Sequence, residues 1–213
     1  MCIRVRWSEN MEKTQKMIQS EQTKERLLFE ATRLFARKGY FATSIADLAS
    51  AAEMTKGAIY HHFMNKEAVF FAVIENIRRT WESTVARRVM ESGDAISALS
   101  ALFDGQTLLF KENENFCLAL NAMMMEMEGV NSDFHAALQA IYSEFSEFIA
   151  GTIARGQQEH EIRSDLDPKV FALGLVGTLR GAGCSRAIFE RMGADFVDMM
   201  NTLKKVIISG LET

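Results

Sequence analysis

A chain of 213 residues with 48% apolar and 24% charged side chains is long enough to bury a real core and has the balance of a water-soluble globular protein. Its net charge of -4 hides an asymmetry: residues 1–66 carry 11 Lys and Arg against 7 Asp and Glu, whereas residues 67–213 carry 13 against 21, so an anionic partner is expected at the front. Cys2, Cys117 and Cys184 form no CxxC pair or disulfide framework, the apolar run at 170–179 is roughly half the ~20 residues of a membrane span, and MCIRVRWSEN lacks a signal-peptide core, so a cytoplasmic chain outside any membrane is expected.

The single proline, Pro168, and the scarcity of β-branched runs favour helices throughout. Residues 1–20 show no period and read as a flexible arm, with Met11 and Met17 as alternative starts. Leu27, Ala31, Leu34 and Phe35 then share one helical face, which Lys38 and Gly39 close. Thr43 and Ser44 open a short helix. Ser44 and Asp47 have capping-box spacing, and Ile45, Leu48 and Ala49 form the buried stripe. After a turn at Glu53 and Met54, Thr55 caps a third short helix with Ile59 and Phe63 inward. Asn65 caps a longer one along Phe70, Val73, Ile74, Ile77, Trp81 and Val85.

Beyond about Met90 every segment reads as a longer helix. One carries Ile96, Leu99, Phe103, Leu109 and Phe110. The next carries Phe116, Leu120, Met123 and Met127 and stops at Gly129. A third runs from Leu138 to Ile153. Pro168 suits a helical first turn, and a last helix holds Phe196, Met199, Met200, Leu203 and Ile207. The total is about nine helices, with no strand pattern and no repeat. No GxSxG, HExxH, P-loop or dinucleotide fingerprint is present, so no catalytic residues are assigned. His61 and His62 point about 100° apart on a helix and cannot easily share a metal, so no metal site is expected there; no cofactor is expected either.

Two short helices joined by a tight turn, the second polar and basic, make a helix-turn-helix whose second helix enters a major groove. The chemistry of TKGAIYHHFMNK, residues 55–66, fits that task. Thr55 and the helix-start amides suit a phosphate, and Lys56 adds charge. Gly57 and Ala58 allow close approach to base edges. Tyr60, His61, His62 and Lys66 can reach backbone phosphates, with Thr43 and Ser44 as further candidates.

Residues from about 24 to 70 resemble the DNA-binding domain of the tetracycline-repressor (TetR) family. The residues carrying the likeness are Gly39 and Tyr40, then Thr55, Lys56, Gly57, Tyr60, His62, Phe63, Lys66 and Glu67. His61 departs from the family pattern, which often has a second tyrosine there. The resemblance implies an all-α chain: a helix-turn-helix domain over 21–66 and a helical effector-binding and dimerisation domain over 67–213. It also implies a homodimer on a palindromic double-stranded operator at the nucleoid, released by a small molecule.

In the back domain, Met124, Met127, Tyr142 and Phe145, with Trp81 and Phe103, are expected to line a pocket for a lipophilic or amphipathic ligand. The alternative for the methionines is gap-filling in the core. Gly177, Gly181, Phe196, Met200, Leu203 and Ile207 are assigned to the dimer face, with intrachain packing as the alternative. Cys117 and Cys184 read as buried, unreactive thiols in preference to a redox sensor. Two other functions remain open from the residues: an architectural or cell-cycle DNA-binding factor without an effector, and an enzyme or carrier that has borrowed the fold.

Overall fold

The computed structural model describes residues 2–130 and 132–212, with side chains at 15, 17–130 and 133–212. Among the described residues nine helices follow in order. The first four are α1 (Cys2–Lys38), α2 (Ile45–Ala51), α3 (Lys56–His62) and α4 (Lys66–Trp81), the last continuing through a π-helical turn (Glu82–Ala86) into Arg87–Met90. Then come α5 (Ala95–Glu112), α6 (Glu114–Met127), α7 (Ser132–Gln158), α8 (Pro168–Arg191) and α9 (Phe196–Ser209). Among the described residues there is no strand, only an isolated bridge between Ile162 and Glu212. The Arg163 N–H donates to the Leu211 carbonyl at 2.9 Å, tying the last residues to the α7–α8 loop.

The helix ends follow local chemistry. Ser44 and Asp47 close a capping box on α2, and Thr55 caps α3. Asn65 caps α4, and Asp167 accepts from Lys169 and Val170 just outside Pro168. Gly39 ends α1 at φ +81, where side chains are strained, and a Cβ there would also run into the Glu126 carboxylate. The start of the chain differs from expectation. The flexible arm assigned to residues 1–20 is helical from Cys2, although Met17 and Ile18 are exposed. Helix formers such as Glu, Lys, Gln and Met sustain the backbone there without an apolar stripe.

Leu27, Ala31 and Phe35 of α1 pack with Leu48 of α2, Ile59 of α3 and Phe70 of α4 as the core of the head. The core does not stop at residue 66. Phe134 of α7 stacks on Phe70 with centroids 4.2 Å apart, and Tyr40 and Phe71 meet it edge-on at 5.3 and 5.2 Å. In the back, α5 crosses the π turn of α4 at Gly105. A Cβ there would lie 2.9 Å from the Thr84 carbonyl oxygen, so only glycine allows the approach.

Phe70 is fully buried at this aromatic junction. Phe70→Ala is expected to lower the unfolding free energy by about 3–5 kcal/mol, read as a fall in the urea midpoint. An unchanged midpoint would mean that the cluster does not hold head to back.

Candidate functional site

The α2–α3 turn is set by its backbone. Ala52 donates to the Leu48 carbonyl, Met54 donates to Ala49 at 2.8 Å, and Glu53 takes φ +53. Fully buried Ile59 then fixes α3 against the head. This leaves Lys56, Gly57, Tyr60 and His61 on the open face, with Ala58 and His62 half-buried beside it. Tyr60 is 54% exposed, an unusual setting for a tyrosine that serves only as core. Thr55 Oγ1 accepts the Ala58 N–H at 3.1 Å, which leaves its hydroxyl proton available to donate. Burial, with the neighbouring His61 and Lys24, pushes the His62 pKa down and favours its neutral form.

Three other candidates are placed differently. Thr43 is buried, and its hydroxyl donates to the Gly39 carbonyl at 2.7 Å. Ser44 is exposed, but its hydroxyl is engaged with Asp47 in the capping box. Hydrogen bonds from Ser44, with Lys38 at 3.1 Å, hold the Asp47 carboxyl well below the usual range. Lys66 was assigned to a phosphate. Its ammonium instead donates inward to the carbonyls of Tyr40 (3.0 Å), Thr43 (2.9 Å) and Phe41 (3.4 Å), and lies 4.2 Å over the Tyr40 ring. On the N–H side of the same turn, the Glu126 carboxylate of α6 accepts from Tyr40 at 2.6 Å and Phe41 at 3.4 Å. Glu126 reaches the head from the back, and nothing in the local sequence marks it.

In the back lies a narrow cleft with about 60 Å³ of free space between its walls. Ile77 and Trp81 of α4, Leu109 and Phe110 of α5, Phe116 and Leu120 of α6, and Tyr142 and Phe145 of α7 give it apolar walls. Trp81 stacks on Phe145 at 4.3 Å and donates to Gln106 at 3.2 Å. Arg180 of α8 also lines it, 5.6 Å over the Tyr142 ring and within the electrostatic reach of the buried Tyr142 hydroxyl. Three of the six expected lining residues, Trp81, Tyr142 and Phe145, are present. Phe103, Met124 and Met127 are not in the lining. Met127 is fully buried on the helix that packs most extensively against α1, so its end of the methionine run fills core.

The candidates for the dimer face divide. Gly177 and Gly181 are exposed on α8 with open space beside them, in line with exposed Leu173 and Ile188. Leu203 and Ile207 are half-buried. Phe196 and Met200 instead face inward, Phe196 against Phe110 and under the Arg186 guanidinium, and they belong to the protomer's own core.

Comparison with known proteins adds a sequence family. Residues 27–73 match the model described as bacterial regulatory proteins, tetR family, and residues 95–194 match the tetracyclin repressor-like C-terminal domain. The transcriptional repressor DhaR of Mycobacterium sp. (strain GP1) is 27% identical over 167 residues, covering 75% of this chain and 79% of that protein. The crystal structure of the MbdR regulator from Azoarcus sp. CIB shares the fold with a TM-score of 0.76 at 24% identity, over 90% of this chain and all of that one. AibR, solved with isovaleryl coenzyme A and operator DNA, matches with a TM-score of 0.62 at 25% identity, over 74% and 84% of the two chains.

Removing the Lys66 ammonium leaves three carbonyls without their charged donor. Lys66→Met is expected to cost about 1.5–3 kcal/mol of stability, measured by urea denaturation. Wild-type stability in this variant would show that the clamp contributes nothing.

Proposed function

We propose that this chain, which belongs to the tetR family of bacterial regulatory proteins, is a homodimeric repressor released from a palindromic operator by a small amphipathic molecule. The observation that carries the reading is α3: anchored by Ile59, it turns Lys56, Gly57, Tyr60 and His61 outward from a basic head. Each protomer lays this helix in a major groove. Lys56, Thr55 and Tyr60 take phosphate or base edges, and Gly57 and Ala58 allow the close approach. The two half-sites lie about one helical turn apart, ~34 Å, or somewhat more. Phosphate contacts dominate affinity, so binding falls steeply with salt. The exposed stripe of α8, Leu173, Gly177, Gly181 and Ile188, supports pairing with a second copy, with Leu203 and Ile207 at its edge. The protein acts by binding, without a catalytic step, at the nucleoid.

The cleft is the effector site in this reading. Its apolar walls suit a tail, while the adjacent Arg180 guanidinium and Tyr142 hydroxyl suit an acceptor-rich head. AibR, with its acyl-thioester ligand and operator DNA in one crystal, provides a precedent for both sites in a related fold. Two helices leave the cleft for the head. Helix α4 runs from Trp81 back to Lys66, and α6 runs from Cys117 and Leu120 to Glu126. Both end on the Tyr40–Thr43 turn. Effector in the cleft biases their placement, and with it the spacing of the two recognition helices. Effector and operator must then weaken each other's binding by the same factor.

The test is selection of genomic fragments by the purified protein at two salt concentrations. Enrichment of a palindrome at low salt, lost at high salt, is expected; salt-sensitive binding without an enriched site would overturn the operator reading. Tyr60→Ala is expected to weaken binding to the selected site at least tenfold with an unchanged thermal melt. Wild-type affinity in that variant would remove α3 from the interface.

A further inference from the structure

Cys117 of α6 and Cys184 of α8 are separated by 67 positions in sequence, yet their sulfurs lie 2.7 Å apart. They are free thiols, Cys117 buried and Cys184 partly exposed. Cys117 lines the cleft, and its sulfur also lies 3.3 Å from the Arg180 carbonyl. The expectation of two inert thiols treated them separately, and the fold brings them into contact. We infer that Cys117 and Cys184 are an oxidation site for small peroxides, closing to an internal disulfide in the wall of the cleft.

The surroundings give the two sulfurs different roles. The hydrogen bond with Cys117 and the nearby Arg180 guanidinium draw the Cys184 thiol down toward its thiolate, against the effect of burial. The hydrogen bond with Cys184, then burial, push the Cys117 thiol up, so Cys117 keeps its proton. Cys184 is the more exposed of the two sulfurs, so it is the one that a small oxidant reaches first and the attacking sulfur. Its thiolate attacks one peroxide oxygen. An S–O bond forms, the O–O bond breaks, and the leaving hydroxide takes up the proton that the Cys184 thiol released to solvent on ionising, leaving as water. The sulfur is oxidised to a sulfenic acid as the peroxide is reduced. Cys117 then attacks that sulfur; the S–S bond forms, the S–O bond breaks, and the hydroxyl leaves as water with the Cys117 proton. Two thiols and one hydrogen peroxide give one disulfide and two waters. The sulfurs need close only to about 2.05 Å.

The test uses the full chain carrying Cys2→Ser, reduced, desalted and treated with one equivalent of hydrogen peroxide. The intact mass is expected to fall by two hydrogens. A non-reducing digest should contain one peptide pair joined through Cys117 and Cys184. The melting temperature should rise and return with dithiothreitol, because the crosslink closes a long loop. Gain of oxygen without loss of hydrogen, or a disulfide between two chains only, would overturn the proposal. In the same background, Cys117→Ser should trap dimedone on Cys184 after peroxide, whereas Cys184→Ser should leave Cys117 unlabelled. The opposite labelling would overturn the assigned roles. None of these readouts involves DNA, so failure of the operator reading leaves them intact.

Discussion

The turn at residues 39–43 is held from both of its polar sides by charges from elsewhere in the chain. Lys66 gathers its carbonyls and Glu126 gathers its N–H groups. Both charges gain hydrogen bonds that are strong because one partner is ionised. The turn sets where α2 leaves α1, and α2 with its short turn sets where α3 stands. A helix of seven residues has little cohesion of its own, so its presentation to solvent depends on this grip and on Ile59 beneath it.

The same grip explains why the head and the back share one core. Phe134 from α7 enters the aromatic cluster of Tyr40, Phe70 and Phe71, next to the point where Glu126 arrives from α6. Helices α4 and α6 therefore act as two struts between cleft and head. Continuous helix links Trp81 to Lys66 and Cys117 to Glu126, and both helices end on the polar clamp.

What could be read from the sequence was what local chemistry decides. Ser44, Thr55 and Asn65 cap the helices they were assigned to, Gly39 takes the left-handed cap, and Pro168 sits in a first turn. Contacts between distant residues were not legible. Glu126 was passed over among the methionines around it, although it binds backbone 86 residues away. Lys66 has the composition of a phosphate ligand, but the fold directs it to carbonyls. The apolar period identified Trp81, Tyr142 and Phe145 as inward-facing, and they line the cleft. It could not say which inward faces meet a cavity and which meet another helix, so Phe103 and Met127 were assigned to the wrong surroundings. Arg180 and Gln106 gave no signal, because a polar residue at a cleft and one at the surface look alike in one dimension.

The π turn at Glu82–Ala86 has a consequence for how α4 can move. A π turn bonds i to i+5, so it holds one residue more than the α-helical turn it replaces. Releasing that residue into an ordinary turn would rotate Lys66–Trp81 about its own axis relative to Arg87–Met90, without lengthening the chain between them. Gly105 keeps α5 close to the wide turn, so the extra loop of backbone has a snug seat. The π turn thus marks the one point of this helix where such a change of angular register would leave both parts helical, whereas an uninterrupted α-helix would have to break.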